Sequence, residues 1–276
     1  MIILLYSDKG YEKMVESFLL SRDYIASNIT VLYYTVGFDS DLEFSNLIKK
    51  RWEFDDSKPD LTYYKAEILI DGLNYSDKVC FMDCDILLGR RFSPDTIVNN
   101  NFDYPICCKG PVEFVWIWEN TPDGNIITHD EKKLMNFFGI DSRLTYRWAS
   151  MISYNEQCRD FLEEWDSVLK NQYLLKRKKE FFPFREETAL NIIFFKRKID
   201  YHLDLIFFNT EKFESFLKVE SEEGFRKHVQ EYHTFTLDNA IYETCNDSSI
   251  VQFYHGMKCG PELEKTLKWM KENSIH

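Results

Sequence analysis

Short apolar runs closed by polar turn residues alternate with amphipathic stretches through the first third of the chain, and this alternation constrains the fold most. The runs are Ile2 to Tyr6, Ile29 to Val36 and Val79 to Leu88. Near-continuous apolar runs of this length suit strands covered on both faces. Between them, Tyr11 to Asp23 carries Met14, Val15, Phe18 and Leu19 at helical spacing. Tyr63 to Leu73 does the same with Ala66, Ile68, Leu69 and Leu73. Strands alternating with helices predict an α/β fold with a mixed, mostly parallel central sheet and the helices as crossovers.

Past residue 105 the pattern loosens. Gly110-Pro111 and Thr121-Pro122-Asp123-Gly124 are turn clusters around a short aromatic run with Trp116 and Trp118. Cys158 to Leu175 reads as a helix. The basic run Lys176 to Lys179 that follows reads as a solvated face, with contact to an anionic ligand or a membrane periphery left open. Neither an internal repeat nor a long linker interrupts the chain, so residues 1–276 are expected to form a single domain.

Composition removes several function classes. Lys and Arg total 34 against 46 Asp and Glu, a net charge of -12, which disfavours nucleic acid as a partner because phosphate neutralisation needs a basic surface. The N-terminal apolar run stops at Ser7, Asp8 and Lys9, too short for a signal peptide or a transmembrane segment. Seven cysteines, an odd number without zinc-type spacing, read as reduced thiols, so a cytoplasmic protein is expected. Phosphate-binding G-x-x-x-x-G-K-[ST], dinucleotide-binding G-x-G-x-x-G and nucleophile-elbow G-x-S-x-G motifs are all missing from the sequence. Oligomeric state has no signature.

The sharpest chemical feature is Lys78 to Leu88, an apolar strand that runs into Asp83-Cys84-Asp85. Strand alternation would put both carboxylates on one side, at the C-terminal end of a parallel strand where open α/β sheets bind ligands. Two such acids suggest a hard cation, Mn²⁺ or Mg²⁺, able to clamp a diphosphate. The plainer alternative is a pair of solvated acids at a strand end.

Asp83-Cys84-Asp85 after an apolar strand resembles the D-x-D motif of nucleotide-sugar glycosyltransferases with the GT-A fold, most closely the glycogenin-like, family 8-like enzymes. Other segments follow in the same order. Tyr63 to Leu69 is similar to the helix before the metal strand, which implies that Lys65 lies near the nucleotide-sugar. Arg185-Glu186-Glu187-Thr188-Ala189-Leu190-Asn191 resembles the acidic helix start at the acceptor side, which gives Glu186 or Glu187 the task of orienting or deprotonating the acceptor hydroxyl. Arg147 to Met151 stands where the family has a small-residue segment beneath the sugar. Val251 to Lys258 resembles the late histidine segment, implying His255 as third metal ligand and Lys258 on the diphosphate. This chain has the compressed His-Gly-Met-Lys where glycogenin-like enzymes carry H-x-x-G-x-x-K-P-W. Ile2 to Asp8 resembles the first strand and turn, with Tyr6 against the base and Asp8 on ribose or base.

The resemblance implies a metal-dependent transferase that moves a sugar from a nucleotide-sugar, UDP before GDP as carrier, to a glycan, lipid-linked glycan or glycoprotein, as in polysaccharide biosynthesis. Retention of configuration is expected, with inversion the alternative. Residues up to about 110 would form the nucleotide-sugar half and residues from about 111 the acceptor half, meeting at Asp83 and Asp85. Two other readings compete. A haloacid-dehalogenase-type phosphatase also uses Asp-x-Asp, although Ile86-Leu87-Leu88 stands where that family expects Thr or Ser. A non-catalytic carbohydrate-binding or assembly protein on a transferase scaffold is the second.

Overall fold

A computed structural model describes residues 1–58, 60–88, 92, 102–109, 138–141, 144–170, 185–202 and 250–252. Its strands are β1 (Ile2–Ser7), β2 (Thr30–Val36), β3 (Leu47–Trp52), β4 (Lys78–Met82), β5 (Ile86–Leu88), β6 (Ile106–Lys109), β7 (Arg147–Asn155) and β8 (Ile250–Gln252). Its helices are α1 (Glu12–Ala26), α2 (Lys65–Gly72), α3 (Arg159–Leu169) and α4 (Arg185–Lys196). Short 3-10 helices, Lys9–Tyr11, Leu61–Tyr64 and Glu156–Cys158, lead into α1, α2 and α3. Six strands form one sheet in the order β3-β2-β1-β4-β7-β6, and β5 pairs with β8 in a second, two-stranded sheet. Among the recorded pairings, β1–β4 and β2–β3 are parallel and β6–β7 is antiparallel, so the sheet is mixed as expected.

The chain divides into two compact units, each made of three segments. The first comprises Met1–Leu4, Phe54–Phe81 and Ile97–Asp204. In it Ile2, Ile3 and Leu4 of β1 stand opposite Val79, Cys80 and Phe81 of β4. Asp60 caps the approach to α2 by accepting from the Thr62 amide at 3.1 Å. At the far end of α2, a Cβ on Gly72 would lie 2.5 Å from a methyl of Leu4 and 2.9 Å from the Tyr154 hydroxyl. That hydroxyl donates to the Leu69 carbonyl at 2.8 Å. The missing side chain therefore lets α2 sit close against β1 and β7, which fixes where the helix points. Phe161 of α3 and Phe194 of α4 meet with centroids 4.8 Å apart, and Trp165 donates from its indole nitrogen to the Glu186 carbonyl at 3.0 Å.

The second unit comprises Leu5–Glu53, Met82–Thr96 and Leu205–His276. Met14, Val15, Phe18 and Leu19 of α1 are buried, as their spacing predicts. The Leu88 amide donates to the Ser21 hydroxyl at 3.1 Å, tying β5 to α1. Strand β3, Leu-Ile-Lys-Lys-Arg-Trp, mixes half-buried and exposed positions at the sheet edge, and its Lys50 ammonium lies over the rings of Tyr34 and Trp52.

Two expectations change. The run Val79 to Leu88 holds two strands: β4 ends at Met82, directly before the two acids as expected, but Ile86 to Leu88 is a further strand, β5, in the other sheet. The helix expected over Cys158 to Leu175 is α3 from Arg159 to Leu169, with residues 171–175 outside the described residues. The turn clusters at 110–111 and 121–124, Trp116, Trp118 and the basic run at 176–179 also lie outside them. Among the described residues, no helix is long and apolar enough to cross a membrane.

Candidate functional site

The D-x-D triplet belongs to the second unit and occupies the turn between β4 and β5. The Ile86 amide donates to the Asp83 carbonyl at 3.1 Å, closing the turn. The alternation expected to set both acids on one side of a strand therefore does not apply, since Asp83-Cys84-Asp85 is not extended pairing strand. Burial differs along it: Asp83 and Cys84 are half-buried, whereas Asp85 is 5% exposed. A carboxylate so far out of water needs compensating partners or a cation.

The start of this unit is equally compact. Ser7 and Tyr33, both fully buried, share a hydrogen bond of 2.7 Å between their hydroxyls. Burial, with the carboxylates of Glu12 and Asp8 nearby, pushes the Tyr33 phenol well above its usual range. Tyr6 is 7% exposed, and Asp8 caps the first 3-10 helix by accepting from the Gly10 amide at 2.9 Å. Thus Asp8 has a local structural task whatever else it binds.

The first unit holds Lys65, Glu186 and Glu187. Lys65, which the resemblance sets near the nucleotide-sugar, is buried. Its ammonium lies 3.1 Å from Glu186 Oε1 and donates to the Ala149 carbonyl at 3.2 Å. The amide of that same Ala149 donates to Glu187 Oε2 at 3.0 Å. Glu187 is half-buried as a residue, but its carboxyl is held in dense surroundings. Burial, reinforced by the Glu186 charge, pushes its pKa up to about 7, although the Ala149 amide, the Tyr146 hydroxyl and Lys65 all favour the charged form.

Asn191, one helical turn beyond Glu187, accepts from the Arg147 amide at 2.7 Å. Its side-chain amide donates to the carbonyls of Arg147 at 2.8 Å and Glu187 at 2.9 Å. The Arg147 side chain, wholly buried, donates to the carbonyls of Thr145, Ile199 and Tyr201 and stacks on Phe194 at 4.2 Å. Sequence reasoning missed Arg147 and Asn191 as the residues that fasten β7 to α4. The Asn at the end of the Arg185 to Asn191 segment was the available signal.

Two carboxylates on a tight turn offer hard oxygen donors of the kind Mg²⁺ and Mn²⁺ take, with water and phosphate oxygens completing the shell. The donor set fits such a cation. Among the described residues, no group of three or more His, Cys, Asp or Glu side chains is gathered for a metal ion. His255 and Lys258 lie outside the described residues.

No protein-family model and no curated protein matches the sequence. Solved structures do match. The galactosyltransferase LgtC, crystallised with donor and acceptor sugar analogues, superposes with a TM-score of 0.58 at 12% identity, over 100% of this chain and 97% of LgtC. The fold is that of a GT-A-type glycosyltransferase. The bifunctional glycosyltransferase WbbM superposes with a TM-score of 0.55 at 13% identity, over 99% of this chain and 50% of WbbM. The glycosyltransferase GlyE of Streptococcus pneumoniae gives 0.52 at 13% identity, over 98% of this chain and 59% of GlyE. The chain thus spans nearly all of LgtC but only 50% and 59% of the other two. A GT-A fold removes the basis of the haloacid-dehalogenase reading.

Proposed function

We propose that the protein is a metal-dependent glycosyltransferase of the cytoplasm, moving a sugar from a nucleotide diphosphate sugar, with UDP as carrier, to a hydroxyl of a glycan, lipid-linked glycan or glycoprotein. One observation carries this reading. Two acids, one of them buried, occupy the turn at the C-terminal end of a parallel strand, in a chain whose fold spans LgtC, a protein crystallised with donor and acceptor sugar analogues.

Asp83 and Asp85, joined by His255, are the residues that would hold Mn²⁺ or Mg²⁺, which when bound supplies positive charge opposite the departing diphosphate. Lys258 adds a second positive charge to the same oxygens. Tyr6 and Asp8 serve the base and ribose: Asp8 uses one oxygen for the Gly10 amide and has a second that can accept from hydroxyls.

The two acids of α4 share the acceptor chemistry. In a retaining reaction both acids orient the acceptor hydroxyl; in an inverting one Glu187, with its pKa about 7, is suited to take its proton near neutral pH. Glu186, held by Lys65, orients that hydroxyl. The anomeric configuration of the product distinguishes retention, the favoured outcome, from inversion.

Incubation with a panel of UDP- and GDP-sugars and MnCl₂, with nucleotide release as readout, tests this function. Release of UDP from one UDP-sugar, dependent on metal and lost in Asp83→Ala and Asp85→Asn, is expected. Absence of both release and donor binding would favour a non-catalytic carbohydrate-binding protein on a transferase scaffold.

A further inference from the structure

Lys65 opens α2 with a side chain 2% exposed, so its ammonium has lost its water and must be held by charge and by acceptors. It is held by both, through Glu186 Oε1 at 3.1 Å and the Ala149 carbonyl at 3.2 Å, with the Phe81 ring centroid 4.8 Å away. The two ends of the Ala149 residue thus serve different acids. Its carbonyl grips the lysine that pairs with Glu186, and its amide grips Glu187 at 3.0 Å. Asn191 then fastens the Arg147 backbone of β7 to the Glu187 carbonyl, so the arrangement cannot slide along the strand. Among the described residues, the titratable groups that face Glu187 are Glu186 beside it, Lys65 on α2, Tyr146 ahead of β7 and Cys107 on β6.

We propose that Lys65 is a positioning residue, whose buried ammonium, shared between Glu186 and Ala149, fixes the placement of the Glu186-Glu187 pair and acts on sugar transfer through those acids, not by touching the donor. This rests on the glycosyltransferase reading. A lysine that bound the donor directly would contribute to donor affinity. One that acts through the acids contributes to turnover and to the titration of Glu187, because its charge favours the ionised form of that carboxyl.

A double-mutant cycle separates the two roles, using Lys65→Met, Glu186→Gln and the double variant. Three quantities are measured: UDP affinity with MnCl₂, turnover, and the Glu187 titration by carbon NMR of labelled glutamate carboxyls, assigned with Glu187→Gln. Lys65→Met is expected to leave UDP affinity within about twofold and to lower kcat by about 10- to 100-fold, with the double variant no slower than the slower single one. Its Glu187 should titrate at higher pH than in the wild type. A tenfold or greater loss of UDP affinity with an unmoved Glu187 titration, or losses that multiply in the double variant, would overturn the proposal.

Should Lys65→Met fold poorly, the double variant retains neither charge of the pair. Its Glu187 titration and turnover against Glu186→Gln alone then decide the same question. Failure of the wild type to bind any nucleotide overturns the transferase reading instead, while the NMR comparison still judges the link between Lys65 and Glu187.

Discussion

Two pairs of acids, each close in sequence, are organised in opposite ways. Asp83 and Asp85 are placed by a local turn, closed by the Ile86 amide on the Asp83 carbonyl, that carries the chain from one sheet to the other. Glu186 and Glu187 are placed by distant residues, Lys65 on α2 and Ala149 on β7. Local placement suits oxygens whose intended partner arrives from solution, as a cation with a diphosphate does. Long-range placement suits groups that must keep one geometry while bonds change, because several elements have to move together before the acids can. It also makes the second pair a structural element of the first unit, so its removal is felt in stability as well as in chemistry.

The contrast can be broken first at the turn. Asp85→Asn, close in volume, should lower turnover about 100- to 1000-fold by removing the charge proposed to hold the metal. Its thermal midpoint should stay within a few degrees of the wild type, in keeping with a locally built site. Equal losses of stability and turnover would mean that Asp85 is part of the scaffold.

The helix pair is probed one turn further on. Asn191→Ala leaves the Arg147 amide and carbonyl without their side-chain partners in a buried position, and urea unfolding should show a loss of about 2–4 kcal/mol. A loss under about 1 kcal/mol would show that β7 and α4 hold their register without it.

The smallest effect is a pH dependence. The folded pKa of Glu187, about 7, lies above its ordinary value of 4.5, so between those values the folded protein keeps a proton that the unfolded chain releases. The stabilising contribution is fully present below pH 4.5 and is lost as pH rises through about 7. Relative to Glu187→Gln, which does not titrate, the wild type should lose about 1–3 kcal/mol across that interval in denaturant unfolding. Parallel stability curves for the two proteins would place the carboxyl in water.

The same contrast explains what could be read in advance. Strands β1 and β2 announce themselves because every residue from Ile2 to Ser7 and from Val31 to Val36 is buried, and all but Ser7 and Thr35 are apolar or aromatic. Strand β3 is hidden because Lys49, Lys50 and Arg51 at the sheet edge read as a polar stretch. Strand β5 is hidden for the opposite reason. Ile86 to Leu88 is as apolar as β4, and only pairing with β8, far along the chain, assigns it to another sheet.

The acids of the turn were legible as a motif because their neighbours in sequence are also their neighbours in space. The burial of Lys65 was not, since a lone lysine on a helix carries no mark of the two partners that β7 and α4 bring to it. Asn191 is similar, as its role exists only once the Arg147 backbone lies beside it.

Calorimetric titration of UDP into the wild-type protein and into Asp83→Ala, each with and without MnCl₂, tests the central claim most directly, because it asks whether the turn after β4 binds a nucleotide diphosphate through a cation. Binding of UDP only with Mn²⁺ and only in the wild type is the predicted result. Equal UDP affinity with and without metal, or no binding of UDP or GDP under either condition, would contradict it.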